Sequence, residues 1–203
     1  MRNVGDLSVD AWIELGSAFF SYISDGSLYR SEGAAYFSDK LPFNYRHIGL
    51  IHKVLPHAVI VDARRNPMDC GFSLYRQHFP SGVDFSYDLR HIGAFYNAYL
   101  SLMDHWHTVL PGRVLTLQHE ALVREPEKTI RALLEHVGVA FEENCLRFHQ
   151  TQRAVRTASS EQVRQPINTK GVGTWRKVSE HLAPLRESLG DATLKRFEDS
   201  LSL

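Results

Sequence analysis

The sequence predicts an α/β protein in which helices cover a parallel sheet. Two short apolar runs, 58–62 and 113–117, are typical of strands, and the first has the continuous β-branched character of a strand buried on both faces. Amphipathic segments separate and follow these runs, and this alternation favours right-handed crossovers between parallel strands. The 203 residues fit one domain, which we expect to span residues 1–203.

The helices are predicted from apolar residues at helical spacing and from the residues at their ends. Pro67 and Pro126 suit first-turn positions because a first-turn amide needs no intrahelical partner. Gly138 suits the end of a helix, where the backbone often turns left-handed. The predicted helices are 8–23, 43–54, 67–79, 87–110, 126–137, 182–189 and 192–201.

The composition excludes several classes of protein. Lys plus Arg and Asp plus Glu each number 23, so no overall basic field indicates a nucleic-acid or membrane partner. Apolar runs fall short of the roughly 20 residues of a membrane span, and the start lacks the pattern of a secretory signal. We expect a cytoplasmic protein in which Cys70 and Cys145 are either reduced thiols or one bridge.

One candidate anion site lies where the first predicted strand runs into a helix. Ligands of open α/β sheets bind at the carboxyl ends of strands, and a helix N-terminus offers free N–H groups to an anion. Arg65 adds a fork of donors matched to phosphate oxygens, and Ser73, two turns along the helix, adds a hydroxyl. The alternative is that Arg65 pairs with a surface carboxylate and Ser73 faces solvent.

Two further segments carry candidate site residues. Lys40, just before Pro42, supplies a point charge for a phosphate or a departing oxyanion, or is simply solvated. The stretch 151–174 combines cations, hydroxyls and glycines and suits a lid over an anionic nucleotide, or a surface loop that Trp175 anchors. Eleven histidines lack the spacing of metal ligands, so we expect no metal site.

Taken in order, three segments resemble the bacterial sulfotransferases related to tyrosylprotein sulfotransferases, which are often attached to tetratricopeptide repeats. The resemblance covers about residues 37–190 and implies a sheet like that of P-loop NTPases, with 3′-phosphoadenosine 5′-phosphosulfate as co-substrate and no metal. The segments are SDKLPFNYRHIGLIHKVLPHAVIVDARRNPMDCGFSLYRQHF, YDLRHIGAFYNAYLSLMDHWHTVLPGRVLTLQHEALVREPE and VRTASSEQVRQPINTKGVGTWRKVSEHLAPLRESLG.

The resemblance also implies roles for individual residues. Arg65 and Ser73 would hold the 3′-phosphate, and Lys40 would stabilise charge on the bridging oxygen as the sulfuryl group leaves. The loop from Ser159 through Trp175 would close over the nucleotide. His119 stands where the family usually has a tyrosine, and its imidazole can still stack or donate a hydrogen bond. The implied partners are the nucleotide and a hydroxyl acceptor, with a homodimer or an upstream repeat segment as further arrangements.

One part of the family pattern has no counterpart in the sequence. The family opens with an apolar strand that leads into a Pro-Arg-Ser-Gly-Thr loop for the 5′-phosphosulfate, followed by a carboxylate base, and residues 1–39 show no equivalent. We therefore expect a sheet that lacks its first strand and this loop. Three hypotheses follow: a sulfotransferase with a truncated sequence, an inactive remnant that binds a nucleotide, or an interaction module that docks a partner.

Overall fold

The chain is described by a computed structural model over residues 7–25, 35–151 and 162–198. It divides into two compact units, Met1–Ile60 and Val61–Leu203. The expectation of a single domain stays a prediction.

The first unit is helical. It contains α1 (Val9–Asp25), a 3₁₀-helix (Pro42–His47) and α2 (Ile48–Val54), close to the predicted bounds. The two α-helices approach closely at Gly16, where an added Cβ would lie 2.4 Å from the backbone oxygen of Val54. A glycine is therefore required at this crossing, since no side chain fits against a main-chain atom at that distance.

The second unit contains the sheet. Strands β1 (Ile60–Arg64) and β2 (Val114–Gln118) are neighbours in a small parallel sheet. Helices α3 (Pro67–Arg76) and α4 (Leu89–Val109) lie between them in sequence and form the crossover. The predicted α/β class is therefore confirmed, with both strands shifted one or two residues from the predicted runs.

The prediction that β1 is buried on both faces by apolar residues is wrong. The strand begins two residues later than the run 58–62, and its buried positions are Asp62 and Arg64, whereas Val61 is exposed. The two buried charges form an ion pair, and the Tyr99 hydroxyl donates to Asp62 Oδ1 at 2.6 Å. Burial of these charges is tolerated because each has a partner of opposite charge or a hydrogen bond.

The remaining helices follow β2. Helix α5 (His119–Arg124) begins directly at the strand end, and α6 (Pro126–Val137) ends at Gly138 with the left-handed φ of 78° that the sequence predicts. Helix α7 (Ala183–Lys195) changes direction at Gly190, which agrees with two helical pieces predicted on either side of it. The remaining 3₁₀-helices are Asp84–Tyr87, Glu143–Cys145, Phe148–Gln150, Gln162–Arg164 and Thr174–Leu182.

The apolar core of the second unit lies where α4 packs against α7. Ile92, Met103, Leu185 and Phe197 are almost completely buried. At Gly93 an added Cβ would lie 2.7 Å from the Ser188 side chain, so the helices approach closely at this position. Across the described residues, no helix combines the length and the apolar character that a membrane crossing requires.

Candidate anion-binding site

The connection between β1 and α3 forms the centre of the candidate site. Asn66 caps α3, because its side-chain oxygen accepts a hydrogen bond from the backbone N–H of Met68 at 3.0 Å. Its own backbone N–H donates to Glu120 Oε1 at 2.9 Å. Glu120 lies in the first turn of α5, directly after β2, so this bond ties together the carboxyl ends of the two strands.

Glu120 is a buried carboxylate held in its ionised form. Its side chain is 1% exposed, and its Oε2 atom has no hydrogen-bond partner among the described residues. Burial acts to raise the pKa of Glu120, but the neighbouring His119 imidazole and the Asn66 N–H stabilise the charge more strongly. The pKa of Glu120 therefore lies below its ordinary value of 4.5.

Arg65 is fixed at its backbone and engaged at only one end of its guanidinium. The Tyr96 hydroxyl donates to the Arg65 carbonyl at 2.5 Å, and Nη2 of Arg65 donates to the carbonyl of Gly171. Nε of Arg65 is buried and has no hydrogen-bond partner within the described residues. A guanidinium with a free donor at the carboxyl end of a strand is suited to an anionic ligand.

A short segment, residues 171–175, lies against the first turn of α3, and we call it the strap. Asp69 is fully buried and accepts three hydrogen bonds from the strap. The donors are Gly173 N at 2.6 Å, Thr174 Oγ1 at 3.1 Å and Trp175 N at 3.3 Å. Together with the bond from Arg65 to Gly171, these contacts fix the strap at both ends.

Two of the predicted site residues are connected through the strap, and a third lies at the start of α5. Arg65 donates to the strap at Gly171, and Trp175, which belongs to the strap, donates to Asp69 in the first turn of α3. His119 adjoins Glu120, with Nδ1 3.9 Å from Glu120 Oε1. The connection between β1 and α3 and the start of α5 therefore place these three residues around one strand edge.

The other three predicted site residues are Ser73, Lys40 and Ser159, and the nucleotide contacts of all six residues stay predictions. Ser73 is exposed on α3, and its contact with a ligand stays a prediction. Lys40 is exposed in the first unit, just before the 3₁₀-helix Pro42–His47. Ser159 lies outside the described residues.

Sequence reasoning missed the two acidic residues that organise the site. Asp69 contacts residues 104 to 106 positions away, and Glu120 contacts a residue 54 positions away. The one local signal was the position of each acidic side chain in the first turn of a helix. The helix dipole stabilises an acidic side chain there in any protein, so this position did not indicate a special function. In the structure, the hydrogen bonds of Asp69 and Glu120 hold distant segments of the chain together.

The neighbouring thiol does not have the properties of a nucleophile. Burial raises the pKa of Cys70 to about 11, only partly offset by Arg65, so the thiol stays protonated at neutral pH. Cys70 and Cys145 are both free, so of the two alternatives the structure shows two separate thiols.

Comparison with known proteins identifies the family. A model described as "Sulfotransferase family" matches residues 6–143, more than half of the chain. The chain belongs to the sulfotransferase family. This membership agrees with the α/β fold.

A longer relative carries a similar segment. An uncharacterized protein of Aquifex aeolicus (strain VF5) is 38% identical over 164 residues, which cover 79% of this chain and 21% of that protein. The chain thus spans about a fifth (21%) of the length of the curated relative it matches. Sulfotransferase membership supports sulfuryl transfer in general.

Proposed function

We propose that this sulfotransferase uses 3′-phosphoadenosine 5′-phosphosulfate and transfers its sulfuryl group to an acceptor hydroxyl. The observation that carries the proposal is Arg65, whose guanidinium lies where β1 leaves the sheet and whose buried Nε has no hydrogen-bond partner among the described residues. An arginine with a free donor beside a helix N-terminus has the chemistry that binds a phosphate. The family supplies the reaction class.

The proposal assigns the 3′-phosphate end of the nucleotide to the second unit. Arg65 binds the 3′-phosphate through its guanidinium, and Ser73 adds a hydroxyl donor. Ser159 and Trp175 belong to the loop that closes over the nucleotide, and His119 stacks on it or donates a hydrogen bond. These roles follow from the residue types, from the contact of Arg65 with the strap, from the hydrogen bond of Trp175 to Asp69, and from the resemblance of the segments to the family.

Lys40 is assigned to the chemical step. The acceptor oxygen forms a new bond to sulfur while the bond from sulfur to the bridging oxygen breaks, the acceptor's proton is released to solvent, and adenosine 3′,5′-bisphosphate leaves. Negative charge grows on the bridging oxygen, and a lysine ammonium stabilises that charge. As in phosphoryl transfer, positioning and charge stabilisation supply most of the rate enhancement. Lysine, arginine and backbone amides supply the positive field, and the proposal includes no metal.

The proposal is tested by titrating the protein calorimetrically with adenosine 3′,5′-bisphosphate. Arg65→Ala is expected to weaken binding by about 1.5–3 kcal/mol, the range for hydrogen bonds to charged groups, or roughly 10- to 150-fold. Arg76→Ala is the matched control, since Arg76 is an exposed arginine in the last turn of α3, the helix that Arg65 precedes. Unchanged binding in Arg65→Ala removes Arg65 from the site.

Transfer is measured separately from binding. Lys40→Ala should slow transfer much more than it weakens binding of the bisphosphate, because the lysine acts on charge that develops in the transition state. Equal losses in both would make Lys40 a binding residue only. Binding of the nucleotide without transfer by the wild-type chain would instead support a nucleotide-binding remnant, and the absence of binding would support an interaction module.

A further inference from the structure

Asp69, the one acidic residue of α3, is fully buried. Its three hydrogen bonds to the strap come from residues more than 100 positions away in the sequence. A buried carboxylate is costly unless donors compensate its charge, and here two backbone N–H groups and one hydroxyl do so. These three donors belong to Gly173, Thr174 and Trp175. The carboxylate therefore determines the position of the strap.

The strap in turn contacts Arg65. The guanidinium of Arg65 donates to the Gly171 carbonyl, and an added Cβ at Gly171 would lie 3.3 Å from Nη2. Because the approach is this close, a small shift of the strap changes the direction of the guanidinium. Asp69 thus acts on Arg65 through the strap, although the two side chains need not touch.

We propose that Asp69 is a positioning residue that makes the site selective for nucleotides that carry a 3′-phosphate. The inference rests on the proposed function, in which Arg65 binds that phosphate. Charge-assisted hydrogen bonds depend on the direction of the donor. An Arg65 side chain that the strap no longer orients therefore binds the phosphate much more weakly. Binding of the rest of the nucleotide does not depend on this contact.

The test compares two ligands, adenosine 3′,5′-bisphosphate and adenosine 5′-monophosphate, which differ only in the 3′-phosphate. In Asp69→Asn the side chain keeps its size, but its amide nitrogen cannot accept a hydrogen bond from the strap. We expect affinity for the bisphosphate to fall by about tenfold or more, and affinity for the monophosphate to change by less than about threefold. The ratio of the two affinities is the readout, because a merely structural role would lower both affinities alike.

Asp88→Asn is the matched control. Asp88 also accepts backbone hydrogen bonds at the start of a helix, from the N–H groups of Arg90 and His91, but it caps α4 and has no contact with the strap. This variant should leave the ratio of affinities unchanged. A fall in the ratio in Asp88→Asn equal to that in Asp69→Asn would overturn the inference.

A milder variant covers the case in which Asp69→Asn does not fold. Thr174→Val removes only the hydroxyl donor and keeps both backbone donors, so we expect a smaller fall in the ratio in the same direction. A wild-type protein that prefers the bisphosphate, together with an unchanged ratio in these variants, would overturn the function of Asp69 and leave the proposed function standing. A wild-type protein that binds both ligands equally would overturn the proposed assignment of the 3′-phosphate itself.

Discussion

The second unit contains two regions that are equally well buried but differ in chemistry. In one, α4 packs on α7 through apolar side chains such as Ile92 and Leu185, which are at most 1% exposed. In the other, the connection between β1 and α3 buries polar groups, with Asp69 and Glu120 at 0% and 1% exposure. The first region is held by many contacts of similar size, and the second by a few hydrogen bonds that each need one particular partner.

This difference predicts different consequences of mutation. Apolar packing is non-directional, so a cavity between α4 and α7 should lower stability without a change in what the protein binds. The hydrogen bonds of the polar connection have fixed directions and orient Arg65 and the strap. Substitutions there should therefore change both stability and nucleotide recognition.

The largest effect is expected from Leu185→Ala. Removal of a completely buried leucine should lower the free energy of unfolding by about 2–5 kcal/mol. The measurement is urea unfolding followed by circular dichroism. The ratio of affinities for adenosine 3′,5′-bisphosphate and 5′-monophosphate should stay at the wild-type value under native conditions, and a changed ratio would show that the two regions are not independent.

A smaller, pH-dependent effect is expected from Glu120→Gln. The folded-state pKa of Glu120 is depressed, so its ionised form stabilises the fold at pH values above its ordinary 4.5, and this stabilisation is lost as the pH falls through the folded-state pKa. The variant should lose about 1–3 kcal/mol of stability at neutral pH, the cost of weakening charged hydrogen bonds in a buried site. Unfolding curves between pH 7 and acid pH measure it.

The pH dependence separates this effect from a simple packing defect. The stabilities of wild type and Glu120→Gln should converge in acid, because the wild-type carboxyl is then neutral as well. A constant difference across the whole pH range would show that the charge of Glu120 contributes nothing.

The smallest effect is expected from Lys128→Ala. Lys128 pairs with Glu125 at 3.0 Å on the exposed side of α6, and such helix-surface pairs contribute about 0.2–0.5 kcal/mol. Its effect on stability, measured by thermal unfolding, is the reference for an exposed polar contact, with which the stability losses in the two buried regions are compared. A loss as large as that of Glu120→Gln would remove the contrast between buried and exposed polar contacts.

The helices could be predicted from the sequence because their signals are local. The ends of α6 are set by Pro126 and Gly138, which act on their own backbone, and the structure places both at the expected positions. The prediction that β1 is an apolar strand was wrong because its buried face carries Asp62 and Arg64, two positions apart. Only the structure shows that these two charges neutralise each other there.

The candidate site could be predicted only in part. Arg65 was identifiable because a strand, an arginine and a helix start follow one another directly in sequence. The functions of Asp69 and Glu120 depend on partners that the fold brings from distant parts of the chain, and a single sequence carries no record of such pairs. The contacts of Arg65, Ser73 and Lys40 with a nucleotide stay predictions, as do those of His119, Ser159 and Trp175.

The protonated Cys70 thiol has a practical consequence. Since burial raises its pKa to about 11, only a small fraction of the half-buried thiol is ionised at neutral pH, and alkylating reagents should modify it slowly. Unfolding returns the thiol to its ordinary acidity, so the rate of modification, followed by mass spectrometry with Cys145 replaced by serine, should rise as the helix that carries Asp69 unfolds.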